Sequence, residues 1–248
     1  MQLRPVFGAS ERTDLNQIFM NHEQRKTSAQ LRVIITGATG MVGEGVLFEC
    51  LNHPSIEHIL LVSRRPYPID HPKVEECIVP DFFDLSRAAQ QLAGYDACFF
   101  CAGISSLGKS EADYRRITYD LTLQFAQTVA ALNPEMAFCY VSGAHTDSTE
   151  KGRVMWARVK GETENALMGL PFAHIYNFRP GFMRPTPGQR NVLSGYKALG
   201  WLYPILRALI PNYVSTMRQV AFAMIRAAGS GYPKPILEIQ DINALGSD

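Results

Sequence analysis

The segment TGATGMVGEG, at residues 36–45, decides the fold of this chain. It follows the short apolar run RVIIT (32–36), which is typical of a buried strand. It also opens MVGEGVLFECLN (41–52), whose apolar spacing predicts a helix that ends before His53-Pro54. A glycine-rich turn between a strand and a helix is the fingerprint of a dinucleotide-binding βαβ unit.

Each glycine of the fingerprint has a separate physical task. Gly37 permits the tight turn, Gly40 lets the backbone approach a pyrophosphate, and Gly43 lets the helix pack closely on the strand. We expect the backbone N–H groups of Gly40, Met41 and Val42 to point at the phosphates, with the helix dipole behind them.

Further apolar strands alternate with helical segments along the next 130 residues. This alternation predicts an α/β fold with a doubly wound parallel sheet that is covered by helices on both faces. The predicted strands are 58–63, 74–79, 96–102, 136–142, 172–178 and 236–239, and the predicted helices are 85–94, 111–132, 154–169 and 216–228.

The composition predicts one NAD(P)-binding domain over residues 31–248, with residues 1–30 as a flexible or loosely docked extension. Proline, glycine and aromatic residues become frequent near the C-terminus, which predicts a small substrate-side lobe over about 183–235. Its aromatic and apolar side chains suggest either a cover for an apolar ligand or an ordinary small core.

The overall charge argues against a nucleic-acid partner, because 24 basic and 23 acidic residues leave a net charge of +1. No apolar run approaches the roughly 18 residues of a membrane span, and no secretory h-region is present. The five cysteines predict reduced thiols and a cytoplasmic location. Cys98 and Cys101 have C-x-x-C spacing, but their strand-like context predicts no metal site.

The segments after the second and third strands predict the adenosine end of the site. Ser63, Arg64 and Arg65 stand where an NAD site usually has an acid, so the arginines favour NADP over NAD. The alternative is a pair of solvated surface arginines. Asp81 is expected to accept a hydrogen bond from the adenine amino group beside Phe82, or to cap the helix that follows.

These motifs together resemble the short-chain dehydrogenase/reductase superfamily, in its atypical and extended branch. The match runs from about Leu31 to Met183, and VKGETE (159–164) and NFRPGFMRP (177–185) are most similar to small Tat-interacting-protein-like and epimerase-like proteins. The resemblance implies a Rossmann-type sheet of about seven strands and a homodimer through the helices at 111–132 and 152–169. With the residues above, the predicted cofactor contacts are Gly37, Thr39, Gly40, Met41, Val42, Gly43, Ser63, Arg64, Arg65, Asp81, Phe82, Cys101, Ala102, Gly103, Lys160, Pro180 and Gly181.

The resemblance also implies catalytic roles. A serine polarises the substrate carbonyl, a tyrosine donates a proton, a lysine binds the nicotinamide ribose, and an asparagine supports a water chain. Ser142 and Lys160 match the first and third roles. Trp156 stands where the tyrosine is expected, and Thr118 where the asparagine is expected. An alternative for Lys160 is a solvated pair with Glu164, four residues later.

Because an indole N–H is no working acid, a catalytic protein needs another proton donor. Tyr140 and His145 are the candidates, together with Tyr119. Two hypotheses follow: a slow NADP-dependent oxidoreductase acting on an apolar carbonyl or quinone-like substrate, or a non-catalytic NADP-binding protein that acts as a redox sensor, regulator or assembly factor with a protein partner. A sugar-nucleotide epimerase or dehydratase is disfavoured, since those reactions depend most on the missing tyrosine.

Overall fold

A computed structural model describes residues 30–192, 196 and 203–247 of the chain. The predicted N-terminal extension, apart from Gln30, lies outside the described residues. So do residues 193–195 and 197–202, within the predicted small lobe.

The core of the protein is a seven-stranded sheet in the order β3-β2-β1-β4-β5-β6-β9, and every pair is parallel. The predicted α/β class and the predicted strand number are confirmed. A separate parallel pair, β7 and β8, lies outside this sheet. The strands are β1 (Leu31–Thr36), β2 (Ile56–Ser63), β3 (Val74–Ile78), β4 (Ala97–Phe100), β5 (Ala137–Val141), β6 (His174–Phe178), β7 (Phe182–Arg184), β8 (Val214–Thr216) and β9 (Ile236–Leu237).

Helices cover both faces of the sheet. The described helices are α1 (Met41–Asn52), α2 (Glu111–Arg115), α3 (Leu121–Leu132), α4 (Met155–Met168), α5 (Tyr203–Leu209), α6 (Met217–Ser230) and α7 (Ile239–Gly246). A π-helical turn, Arg116–Asp120, joins α2 to α3. None of the described helices is both long enough and apolar enough to cross a membrane.

The two faces follow from the alternation of side chains along each strand. In β1, Val33 and Ile35 pack in the cluster that contains α1 and α6, whereas Ile34 packs in the cluster that contains α3. All three side chains are fully buried. An apolar run without polar alternation therefore forms a strand that is covered on both sides.

Two sequence predictions are wrong in their detail. The helix predicted at 85–94 is only a 3₁₀ turn at Ser86–Ala88, and Asp84, not Asp81, accepts the backbone N–H of Ser86. The strand predicted at 236–239 ends at Leu237, where α7 soon begins.

The predicted small lobe is only partly separate from the main body. The parallel pair β7–β8 lies outside the central sheet, but α6 contributes Met217, Val220 and Met224 to the main core. The described residues after Thr216 therefore belong to the doubly wound layers, and the lobe is shorter than predicted.

Candidate cofactor and active site

The sheet order reverses direction between β1 and β4, so a crevice opens at the carboxyl ends of these two strands. A cavity of about 270 Å³ lies there. Its lining joins the glycine turn, the end of β2 and the end of β4. The lining residues are Gly37, Thr39, Gly40, Val62, Ser63, Arg64, Phe82, Cys101, Ala102, Gly103, Ile104, Ile117 and Leu121.

The glycine turn has a geometry that side chains would destroy. Gly37 has a φ of +75°, and a Cβ atom on it would lie 2.7 Å from the backbone nitrogen of Ala102. A Cβ on Gly43 would lie 2.2 Å from the Gly37 carbonyl oxygen. The Thr36 hydroxyl accepts the backbone N–H groups of Cys101 and Ala102, both at 3.1 Å, and so fixes the end of β4 against the turn.

The phosphate-facing donors differ from the prediction at one position. The N–H of Gly40 donates to the Gly37 carbonyl at 2.9 Å, so the turn itself uses this donor. No side chain of the described residues caps α1. The N–H groups of Met41 and Val42, in the first helical turn, have no intrahelical acceptor, and they suit an anion.

The turn after β2 places Arg64 at the rim of the cavity. The Ser63 hydroxyl donates to the Arg65 carbonyl at 2.6 Å, which shapes the turn. Both arginines are exposed. Arg64 lines the cavity, whereas Arg65 is not among the described lining residues.

After β3, Phe82 is buried and forms one wall of the cavity. The carboxylate of Asp81 accepts the backbone N–H of Phe83 at 2.9 Å. Asp81 is exposed, is absent from the described lining, and holds this local turn. Its predicted contact with adenine stays a prediction.

Lys160 lies at the carboxyl end of β5, as the resemblance implies. Its partly buried ammonium donates to the carbonyl oxygens of Val141, at 3.2 Å, and Ser142, at 3.1 Å. Burial lowers the pKa of Lys160 from 10.5 to about 8, and the negative charge of Glu164 opposes this shift. The Ser142 hydroxyl is buried and shares a 3.0 Å hydrogen bond with the Thr146 hydroxyl.

Glu164 does not form a solvated pair with Lys160. Its side chain is fully buried and binds the guanidinium of Arg179 through both carboxylate oxygens. Arg179 also donates to Glu238 at 3.0 Å and to the Ser148 hydroxyl. This pair ties α4 to the end of β6, next to the lysine.

The predicted proton donors have different surroundings. Trp156 is partly exposed, and its ring lies 3.7 Å from the position a Cβ of Gly143 would take, which places the indole beside the loop after Ser142. Tyr140 is 2% exposed, and the Lys160 ammonium lies 5.4 Å from its ring centroid. His145 is exposed, and its backbone has a left-handed conformation with a φ of 65°. Its ring centroid lies 6.2 Å from that of Tyr213.

The π-helical turn holds the residues that replace the expected asparagine. Thr118 is buried, and its carbonyl accepts a 3.4 Å bond from the Thr163 hydroxyl. The guanidinium of Arg115 lies 4.2 Å from the ring centroid of Tyr119. Thr118 thus contacts α4 through its backbone carbonyl, its side chain is hydrogen-bonded to Tyr114, and the ring of Tyr119 packs against Arg115.

The segment after β6 borders the same region. The N–H of Ala144 donates to the Pro180 carbonyl at 3.0 Å. A Cβ on Gly181 would lie 2.4 Å from the Tyr213 carbonyl oxygen, so the chain before β8 packs directly on this glycine.

Several residues of the site were not predicted from the sequence. Thr36 had a usable signal, since a hydroxyl at the end of a strand faces the neighbouring strand end. Ile117 and Leu121 line the cavity from the π-helical turn and from α3, and only their tertiary position reveals this.

All five cysteines are free thiols. Burial raises the pKa of Cys101, which lines the cavity, to about 12. In the part of the chain that the structure describes, no group of three or more His, Cys, Asp and Glu side chains is arranged to hold a metal ion.

Residues 33–151 match the model of the NAD dependent epimerase/dehydratase family. This segment, slightly less than half of the chain, is similar to that family. The matched segment contains the glycine turn, the cavity lining and Ser142, and the resemblance inferred from the motifs is confirmed.

Three relatives show how far the similarity extends. Leucinostatins biosynthesis cluster protein T of Purpureocillium lilacinum is 32% identical over 143 residues, which are 56% of this chain and 52%, or about half, of that protein. Protein FMP52, mitochondrial, of Saccharomyces cerevisiae is 28% identical, over 64% of this chain and 67% of its own. Protein HTATIP2 of Rattus norvegicus is 26% identical, over 87% and 89%.

Solved structures share the fold at low sequence identity. MoeE5, in complex with UDP-glucuronic acid and NAD, is 17% identical with a TM-score of 0.60, over 84% of this chain and 76% of that one. A short chain dehydrogenase from Burkholderia cenocepacia J2315, in complex with NADP, is 15% identical with a TM-score of 0.59, over 87% and 92%.

Proposed function

We propose that the protein binds NADP(H) in the crevice and catalyses slow hydride transfer with an apolar carbonyl or quinone-like substrate. The observation that carries this proposal is the Lys160 ammonium, held by two backbone carbonyls beside Ser142 at the carboxyl end of β5. A structural lysine gains little from such a desolvated position, whereas a ribose-binding lysine needs it.

The glycine turn fits a dinucleotide because the backbone there is bare and close-packed, and because the first turn of α1 has donors without side-chain caps. The cofactor preference rests on Arg64 at the cavity rim, since a guanidinium suits a 2′-phosphate. Solved structures that share the fold are described in complex with NADP or with NAD, so the proposed preference for NADP rests on the arginine alone.

The roles of the residues follow from their geometry. The nicotinamide, when bound, supplies or accepts the hydride. Two of the three ammonium hydrogens of Lys160 bind backbone carbonyls, and the third would bind the ribose hydroxyls. Ser142 would donate a hydrogen bond to the substrate oxygen. With Trp156 in the tyrosine position, solvent would supply the proton. General acid catalysis contributes about a hundred- to ten-thousandfold, so turnover would be slow by that factor.

An apolar substrate is favoured by the apolar surface of the segment before β8, which reaches this site at Tyr213. Four large apolar side chains of the segment before β8 are exposed, and Tyr213 pairs with His145 in the loop after Ser142. The exposed side chains are Ile205, Leu209, Ile210 and Tyr213.

A non-catalytic NADP(H)-binding regulator is the second candidate. Tyr140 lies inside the core, the Thr118 side chain is hydrogen-bonded to Tyr114, and neither residue is among the described ones that line the cavity. If no other donor reaches the substrate, cofactor binding without turnover results.

A titration with NADPH and NADH, followed by nicotinamide fluorescence, separates the candidates. Micromolar NADPH binding and signal loss on adding aldehydes or quinones would support the oxidoreductase, and binding without turnover would support the regulator. No binding of either nucleotide would reject both.

Trp156→Tyr is the matched gain-of-function variant. A tyrosine four residues before Lys160 restores a proton donor, so we expect kcat to rise about a hundredfold with NADPH affinity unchanged. An unchanged or lower kcat would show that the indole is not what limits hydride transfer.

A further inference from the structure

A fully buried carboxylate lies one turn inside α1. Glu44 accepts four hydrogen bonds, and none of the ion pairs of the described residues includes it. The Tyr67 hydroxyl donates at 2.8 Å and the Asn191 side-chain amide at 3.1 Å. The backbone N–H groups of Arg190 and Asn191 donate at 2.9 and 2.7 Å.

These bonds fix the segment 186–191, TPGQRN, against the cofactor-binding helix. The Gln189 side chain donates to the Met41 carbonyl at 2.7 Å, so the segment reaches the first turn of α1. The Thr186 hydroxyl donates to Glu49 at 2.6 Å, about two turns further along the helix. A segment more than 130 residues away in the sequence therefore borders the phosphate-binding turn.

The same bonds connect this segment to the turn after β2. Tyr67 follows Arg64 by three residues. Its hydroxyl donates to one carboxylate oxygen of Glu44, and the backbone N–H of Arg190 donates to the other. Burial and the bond to Glu44 raise the pKa of Tyr67 to about 12, and the nearby positive charge of Arg190 acts in the opposite direction. The Arg190 side chain is exposed and, like that of Arg65, is not among the described residues that line the cavity.

We propose that Arg190 binds the 2′-phosphate of NADP(H) together with Arg64, and that Glu44 serves to hold the backbone of residues 190 and 191 in place for this contact. The proposal rests on the NADP(H) binding proposed above and extends it by a specificity residue from outside the βαβ unit. Two guanidinium groups from separate segments can engage a dianionic phosphate from two sides.

A counter-ion role is the alternative for Arg190. Its guanidinium would then offset the buried charge of Glu44 at a distance and would have no part in cofactor choice. That role predicts a less stable protein after substitution and an unchanged ratio of NADPH to NADH affinity.

The test is Arg190→Gln, with dissociation constants for NADPH and NADH measured by fluorescence titration. We expect NADPH affinity to fall about tenfold, since a charge-assisted hydrogen bond is lost, and NADH affinity to change less than about twofold. The control is Lys234→Gln, which removes one positive charge before β9, at the opposite edge of the sheet from β2 and β3. It should leave both constants unchanged.

The outcomes are distinguishable. If the native protein binds NADPH no better than NADH, the NADP preference itself fails. If the native protein prefers NADPH and Arg190→Gln keeps that preference, the role of Arg190 alone is overturned. An equal loss for both nucleotides also overturns it, because the contact would then lie at the shared pyrophosphate. Thermal unfolding of the variant detects the counter-ion role.

Discussion

Replacing Lys160 by methionine separates a functional lysine from a structural one. Methionine is unbranched and only one atom shorter than lysine, and it removes the charge. Burial lowers the pKa of Lys160 from 10.5 to about 8. At about 1.4 kcal/mol per pH unit, this difference of about 2.5 units means that about 3 kcal/mol opposes the charged lysine in the folded state.

The lysine also donates to the carbonyls of Val141 and Ser142, and each bond stabilises the fold by about 1 kcal/mol. The balance predicts that Lys160→Met raises the free energy of unfolding by about 1 kcal/mol at pH 7. The folded pKa lies below the unfolded one, so the unfolded chain binds more protons between pH 8 and 10.5. Native stability should therefore rise with pH across that window, and the variant should lack this rise.

Urea unfolding at pH 7 and pH 10, with Lys151→Met as the exposed control, measures the balance. NADPH titration of the folded variant should show binding weakened by at least tenfold, because the ribose loses its donor. A loss of more than about 2 kcal/mol at pH 7 would refute the reasoning, since it would make Lys160 a structural residue whose bonds outweigh its burial.

Two further substitutions test the frame around the site. Gly37→Ala forces a Cβ to 2.7 Å from the β4 end at a φ of +75°, so we expect thermal unfolding to show a loss above about 2 kcal/mol and NADPH binding to vanish. Gly103→Ala, where a Cβ meets open space, is its stability control, and equal losses would contradict the steric argument. Glu164→Gln leaves Arg179 with a weakened partner inside the protein, and urea unfolding should show a loss of about 3–5 kcal/mol. Glu162→Gln, at the partly exposed pair with Arg115, should cost less than about 1 kcal/mol, and a similar cost for both would show that burial does not matter.

The sequence predicts the strands and the phosphate turn well because their signals are local. Continuous apolar runs such as residues 58–63 require cover on both faces, and the glycine spacing requires a strand before it and a helix after it. The role of Lys160 comes from the family resemblance and not from a local signal, and it stays a prediction.

The failures come from contacts that span the chain. The segment 85–94 has a helical pattern, but the Asn133 side chain accepts the backbone N–H groups of Gly94 and Tyr95 and fixes a turn there. Arg190 has no local signal at all, since only the bonds to Glu44 bring its backbone to α1. The burial of Glu164 was likewise invisible, because its partner lies on another element.

The π-helical turn at Arg116–Asp120 has a consequence for comparing this chain with others. Such a turn holds one residue more than an α-helix, so the side chains after it are rotated by about 100° relative to an uninterrupted helix. A homologue with a continuous helix would align correctly only with a one-residue gap inside this turn. Without the gap, Thr118 would be matched to a neighbour of its true counterpart, and counting residues along the chain would misidentify the position that replaces the expected asparagine.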